Sequence, residues 1–200
     1  MVQKIDLRGK ECPIPVIQTK KALEATKDHS IITIVDSDVS KENIEKLAKS
    51  LKYKSTVKEA QGEFYIEIFK QSGIDLSEEL SYPSKNSSPE DLTVMITRDT
   101  LGDGKRELGE VLMKGYIYTL TEAPKTPKNL LFLNSGVHLT VEGSPVIDHL
   151  RRLEEKGVTI LSCGTCLDYY KVKNKLVVGG IGNMYDMVEK SSGSKKTVTL

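Results

Sequence analysis

A chain of 200 residues, 38% of them hydrophobic and 28% charged, is long enough for one large core or two small ones and has the balance of an ordinary soluble protein. Its formal net charge of +1 gives no electrostatic reason to expect nucleic acid or a membrane surface as partner. No stretch approaches the roughly 20 apolar residues of a membrane span, and Met1-Val2-Gln3-Lys4-Ile5-Asp6 lacks the apolar run of a secretory signal, so the expected location is the cytoplasm.

In chain order, residues 2–7 read as a strand and 13–26 as a helix. Between them lies Arg8-Gly9-Lys10-Glu11-Cys12-Pro13-Ile14-Pro15. Proline is favoured at the first helical position, which places Cys12 at the N-cap. There the unpaired N–H groups, the helix dipole and the nearby Arg8 and Lys10 all favour thiolate over thiol. Residues 31–36 form a β-branched strand, and 40–51 a helix with Ile44, Leu47 and Leu51 on one face. Residues 55–60 and 63–69 alternate as strands around a Gln61-Gly62 turn. The order is βαβαββ, a two-layer α/β sandwich over residues 1–70.

Residues 71–91 hold five acids against one lysine, with Pro83, Pro89 and six serines, and read as an acidic linker. Residues 92–200 then alternate strand and helix: 93–97, 108–120, 130–134, 144–156, 158–162, a short helix near Cys163, and a final pair at 182–189 and 197–200. Runs such as Leu130-Leu131-Phe132-Leu133 and Val158-Thr159-Ile160-Leu161 suit strands buried on both faces, hence a parallel sheet between helices. Ligands of such sheets sit at the carboxyl ends of the strands.

Three strand ends carry chemistry. Arg98 to Gly104 is a glycine-containing loop that matches neither phosphate-binding fingerprint and reads first as a plain strand-to-helix turn, with Asp103 near the cap. Asn134-Ser135-Gly136-Val137-His138 offers hydrogen-bond donors from Asn134 and Ser135 and a proton carrier in His138, although a lone loop histidine is more often structural. Ser162-Cys163-Gly164-Thr165-Cys166 runs a strand into Cys-x-x-Cys, with Cys163 at a helix N-terminus and Cys166 one turn on. The first thiol would be activated there, and the second would resolve a persulfide or mixed disulfide on it. Half of a zinc site shared across a homodimer, or two inert buried cysteines, are the alternatives. Three cysteines, an odd number, argue against a disulfide framework. Tyr116, Tyr118, Tyr169 and Tyr170 read as core and rim packing, and Lys20-Lys21 as a solvated face.

Asp6-Leu7-Arg8-Gly9-x-x-Cys12-Pro13-x-Pro15-Val16, followed by Lys20-Lys21-Ala22-Leu23, resembles the signature of the TusA/SirA-like sulfur-carrier family. The second half, through Leu101-Gly102-Asp103-Gly104, Phe132 to Val137, Ser162 to Tyr169 and Gly182-Asn183-Met184-Tyr185, resembles the DsrE-like family with its flavodoxin-like parallel-sheet domain. Together the halves are similar to the YedF-like family of selenium-metabolism proteins. The resemblance implies that Cys12 bears a persulfide or perselenide, with Cys163 and Cys166 as a second reactive pair. Arg8, Pro13, Pro15, Asn134, Ser135, Gly136 and Gly164 are the accompanying binding candidates. Neither cofactor nor resident metal is implied. The partners implied are a persulfide or perselenide donor such as a cysteine desulfurase, a selenophosphate synthetase, and a second copy of the chain. The expected function is a sulfur or selenium relay from Cys12 to Cys163 and Cys166, sulfurtransferase-like if it turns over. The alternative is a regulatory or redox-sensing adaptor without obligatory turnover.

Overall fold

The computed structural model describes residues 2–70 and 90–200. Residues 71–89 of the expected linker lie outside the described residues, and the division between two packed units falls among them.

The first unit runs β1 (Gln3–Asp6), α1 (Ile14–Ala25), β2 (Ser30–Val35), α2 (Asp38–Ser50), β3 (Lys54–Ala60) and β4 (Glu63–Phe69), the βαβαββ order expected. Across the sheet the order is β1-β2-β4-β3, with β1 parallel to β2 and the other pairs antiparallel. Gln61 and Gly62 have φ of 55° and 77°. Two successive left-handed residues are what a type I′ hairpin demands, so β3 and β4 pair outward from Ala60 opposite Glu63. α1 buries Pro15, Thr19 and Leu23, and α2 buries Ser40, Ile44 and Ala48. A stride of four keeps each set on one helix face. Those faces close over Ile31, Ile66 and Ile68, all fully buried. Each such aliphatic side chain contributes about 1.5–3 kcal/mol relative to exposure, so the sheet-to-helix contact carries this unit. The hydroxyls of Thr19 and Thr33, both buried, meet at 3.3 Å and satisfy each other within the contact.

At the carboxyl end of β1, Arg8 donates to both carboxylate oxygens of Asp6 and to Glu63 at 2.6 Å, while the Tyr65 hydroxyl donates to Glu63 at 2.8 Å. The hydrogen bonds from Arg8 hold the Asp6 carboxyl down at about 2, from an ordinary 3.8. A carboxylate depressed in the folded state contributes stability above its unfolded value and loses it as pH falls through the folded one. The contribution of Asp6 is therefore complete above 3.8 and lost toward about 2.

The second unit runs β5 (Glu90–Ile96), α3 (Arg106–Glu122), β6 (Pro127–Phe132), a 3₁₀ segment (Asn134–Thr140), α4 (Ile147–Glu155), β7 (Thr159–Cys163), α5 (Gly164–Tyr169), β8 (Gly180–Gly182), α6 (Met184–Ser192) and β9 (Lys196–Thr199). Glu90 and Asp91, read as the end of the linker, already belong to β5. The five strands are all parallel in the order β8-β7-β6-β5-β9, the two-faced sheet of a flavodoxin-like domain. Leu130 and Phe132 enter one core with Ile96, Met113 and Leu150, whereas the intervening Leu131 enters a smaller one with Cys163 and Met187. The continuous apolar run thus resolves into two alternating faces. Three connections step one way from β5 to β8, and the fourth returns to β9 beyond β5. Right-handed crossovers then place α3, α4 and α5 on one face and α6 on the other.

The 3₁₀ segment is laid against the end of β5: the Leu133 N–H donates to the Ile96 carbonyl, and the Gly136 N–H to that of Leu133. A Cβ on Gly136 would stand 2.3 Å from the Ile96 oxygen. Gly136 is therefore a packing residue where the sequence suggested a binding one.

Two outcomes are expected. Gly136→Ala lowers stability in denaturant titration by about 1–3 kcal/mol, whereas Gly104→Ala, where an added methyl meets nothing within 4 Å, changes it by less than about 0.5 kcal/mol; equal effects would contradict the close approach. Arg8→Gln returns the Asp6 midpoint in an NMR titration to the ordinary carboxylate range. A midpoint left near its depressed value would remove Arg8 as the cause.

Candidate functional site

The Cys12 site is a short turn between β1 and α1. The Lys10 N–H closes back on the Leu7 carbonyl at 3.3 Å, with Gly9 at φ 67° as such a turn needs. The Gly9 N–H donates to Asp36 at the end of β2, 2.8 Å away. A second turn follows, the Ile14 N–H donating to the Glu11 carbonyl at 3.0 Å, and the Cys12–Pro13 peptide within it is cis. These bonds fix both flanks of Cys12, which is exposed.

The expected capping frame is off by one. Pro13, at φ −95° and ψ 9°, is itself the N-cap and Ile14 the first helical residue, so Cys12 stands one position ahead of the cap. Pro15 takes the first-turn slot, where a missing N–H costs nothing. Arg8 is held by Asp6 and Glu63, giving it carboxylate partners where the sequence suggested the thiol. The side chain that reaches Cys12 is Asn43 of α2, whose amide N lies 3.6 Å from the sulfur. An asparagine 31 residues away on a polar helix face carries no local signal, and sequence reasoning missed it.

The second site sits at the carboxyl ends of β6 and β7. The chain leaves β7 for α5 on one face and leaves β8 for α6 on the other, so the crevice between β7 and β8 is a topological switch point, the usual ligand position in such sheets. Cys163 ends β7 opposite Gly182 of β8 and caps α5; Cys166 follows one turn later. The two thiols differ in access. Cys163 is 3% exposed, packed with Leu131 and Met187, whereas Cys166 is half-buried between the two cores. The Cys166 sulfur accepts the Asn134 main-chain N–H at 3.1 Å. Burial foremost, and a hydrogen bond with Cys163, push the Cys166 thiol up; the Asn134 N–H opposes them.

Asn134 adopts φ 47°, a left-handed turn directly after β6 that asparagine tolerates better than most residues. Its side-chain oxygen accepts the Tyr170 hydroxyl at 2.7 Å, and the Tyr170 ring meets His138 edge-on with centroids 4.6 Å apart. Tyr170, read from sequence as packing, is thus part of this cluster, while Tyr169 beside it is 80% exposed. Ser135 turns elsewhere: its hydroxyl accepts the Asp99 N–H at 3.3 Å. Asp99 pairs with Arg106, whose charge and hydrogen bond outweigh burial and hold the carboxyl below its usual range. The Arg98 to Gly104 loop leads into α3, whose N-cap position is Lys105 without a side-chain cap, and Arg98 pairs with Asp103 within it. Gly164 starts α5 beneath Ile181, whose methyl would lie 3.1 Å from an added Cβ. Among the described residues no three His, Cys, Asp or Glu side chains converge as metal ligands. Nor is any helix among them long and apolar enough to cross a membrane.

Residues 3–70 match the family Sulfurtransferase TusA. A relative from Thermotoga maritima, described as a "Putative sulfur carrier protein", is 36% identical over 52 residues, 26% of this chain and 66% of the relative. Among solved structures, a SirA-like protein from Desulfitobacterium hafniense is 35% identical, covering 34% of this chain and 96% of that one with a TM-score of 0.32. The YchN protein from E. coli is similar at 15% identity over 56% of this chain and 99% of its own, with a TM-score of 0.44. The first unit of the chain is a TusA/SirA-like sulfur-carrier domain.

Proposed function

We propose that the chain relays a chalcogen atom, sulfur or selenium, taken up on Cys12 and passed to the Cys163/Cys166 pair. The observation that carries the reading is the presentation of Cys12: an exposed thiol on a turn pinned at Gly9 and Ile14, inside a domain of the TusA family. An exposed thiolate attacks the outer sulfur of a donor persulfide and carries it as Cys–S–SH. The Asn43 amide donates to the Cys12 Sγ. A cysteine desulfurase fits the role of donor, since it presents a persulfide, and the resemblance to YedF-like proteins with a DsrE-like second domain motivates a selenium cargo and a selenophosphate synthetase as acceptor. A tether of about twenty residues keeps two sites at millimolar-scale effective concentration when its length matches their separation, a physical reason for joining them in one chain.

A second reading is a redox-sensing adaptor without turnover. The observation favouring it is the upward displacement of the Cys166 thiol by burial, since a thiol kept protonated is a poor nucleophile.

Loading the full chain with isotopically labelled sulfur from a cysteine desulfurase separates the two. The relay predicts label on the Cys163–Cys166 peptide in the wild type and its loss in Cys12→Ser. Label on that peptide undiminished in Cys12→Ser would end the relay and leave the adaptor.

A further inference from the structure

We infer that Cys166, rather than Cys163, is the entry thiol of the second site, with the Asn134 main-chain N–H as its sulfur-binding donor and Tyr170 as the positioning residue behind it. This rests on the relay reading for its chemistry, and on the geometry of the second unit alone for the order of the two thiols.

A helix-start rule favours the first cysteine of Cys-x-x-Cys, but the packing reverses that order. The side chain of Cys163 points to the face covered by α6, against Leu131 and Met187, and is 3% exposed. Cys163 is therefore the less accessible of the two thiols. Cys166 packs against both cores but is only half-buried, with a main-chain N–H already on its sulfur. That N–H is available because Asn134 leaves the β6 ladder in a left-handed conformation. The Tyr170 hydroxyl holds the Asn134 side chain, and His138 holds the Tyr170 ring. One connected set of contacts, drawn from the loop after β6 and the end of α5, therefore aims a main-chain N–H at Cys166, which opposes the upward push that burial gives this thiol, whereas the partner of Cys163 is Cys166 itself.

The chemistry balances in two steps. The Cys166 thiolate attacks the outer sulfur of a donor R–S–SH; a new S–S bond forms on Cys166, the donor S–S bond breaks, and R–S⁻ leaves, taking up the proton that Cys166 lost. The Cys163 thiolate then attacks the Cys166 sulfur. A Cys163–Cys166 disulfide forms and HS⁻ departs with the bonding pair, so the carried sulfur is reduced and the dithiol oxidised. A low-molecular-weight thiol or a protein dithiol returns the pair to the reduced state. For a perselenide the same steps release hydroselenide.

The test is iodoacetamide alkylation of the native full-length chain across pH, followed by peptide mapping, with each cysteine read separately. The order of thiols predicts that Cys166 is modified about tenfold faster than Cys163. Tyr170→Phe, which keeps the ring and removes only the hydroxyl, is expected to move the Cys166 midpoint up by about half a pH unit and to leave Cys12 where it was. Faster modification of Cys163, or a Cys166 midpoint unmoved in Tyr170→Phe, would overturn the assignment. A second arm exposes the same proteins to inorganic polysulfide. Cys163→Ser and Cys163→Ala are expected to accumulate one sulfur atom on Cys166, and Cys166→Ser none on Cys163; the reverse pattern also overturns the assignment. If no cysteine of any variant takes up sulfur, the relay reading falls, and the alkylation order still decides which thiol is the accessible one.

Discussion

A backbone N–H with no ladder or helix partner is the constraint around which the sulfur of the second site is placed. A strand that ends and a helix that begins leave such donors unpaired, and the chain sets its three cysteines at two of these junctions. In the second unit the donor is specific: the N–H of Asn134, freed by the turn after β6, lies 3.1 Å from the Cys166 sulfur. Neighbouring contacts hold the surrounding segment in place. Gly136 lets the segment lie flat on the Ile96 carbonyl, the Thr140 hydroxyl meets that of Ser162 inside the core at 2.8 Å, and Tyr170 secures the Asn134 side chain.

The first unit solves the same problem with less burial. Its cysteine is carried on two linked turns whose polar groups are satisfied by Leu7, Asp36 and Glu11, leaving the thiol in solvent. An exposed carrier and a half-buried dithiol have complementary uses. In the proposed relay, cargo on the first would be open to a partner, whereas cargo on the second would stand beside a thiol able to displace it. Such an arrangement would separate carriage from release.

Much of this was legible from residue patterns. The Gln61-Gly62 turn, the Ile44 and Leu51 face of α2 and the buried run at Leu130–Phe132 all encode geometry through neighbours in sequence. So did Cys163 at the mouth of a strand. What escaped was set by distant contacts. Asn43 reaches Cys12 from 31 residues away, and Glu63 claims Arg8 from 55 away. The N-cap moved from Cys12 to Pro13 because two prolines compete for one first-turn slot and the local rule does not rank them. The access of Cys163 and Cys166 depends on α6 returning across the far face of the sheet, a topological fact with no signature in the Cys-x-x-Cys spacing itself. β8, three residues long, is too short for any periodicity to declare.

The central claim is that Cys12 is the residue on which the chain first holds its cargo. Intact-mass analysis after incubation with a persulfide-forming cysteine desulfurase and free cysteine addresses it directly, using Cys163→Ser/Cys166→Ser protein so that Cys12 is the sole thiol. The account predicts the added mass of one sulfur atom, removed by a thiol reductant and absent when Cys12 is also replaced by serine. Protein that emerges without added mass, or that carries it after Cys12 is gone, would contradict the account.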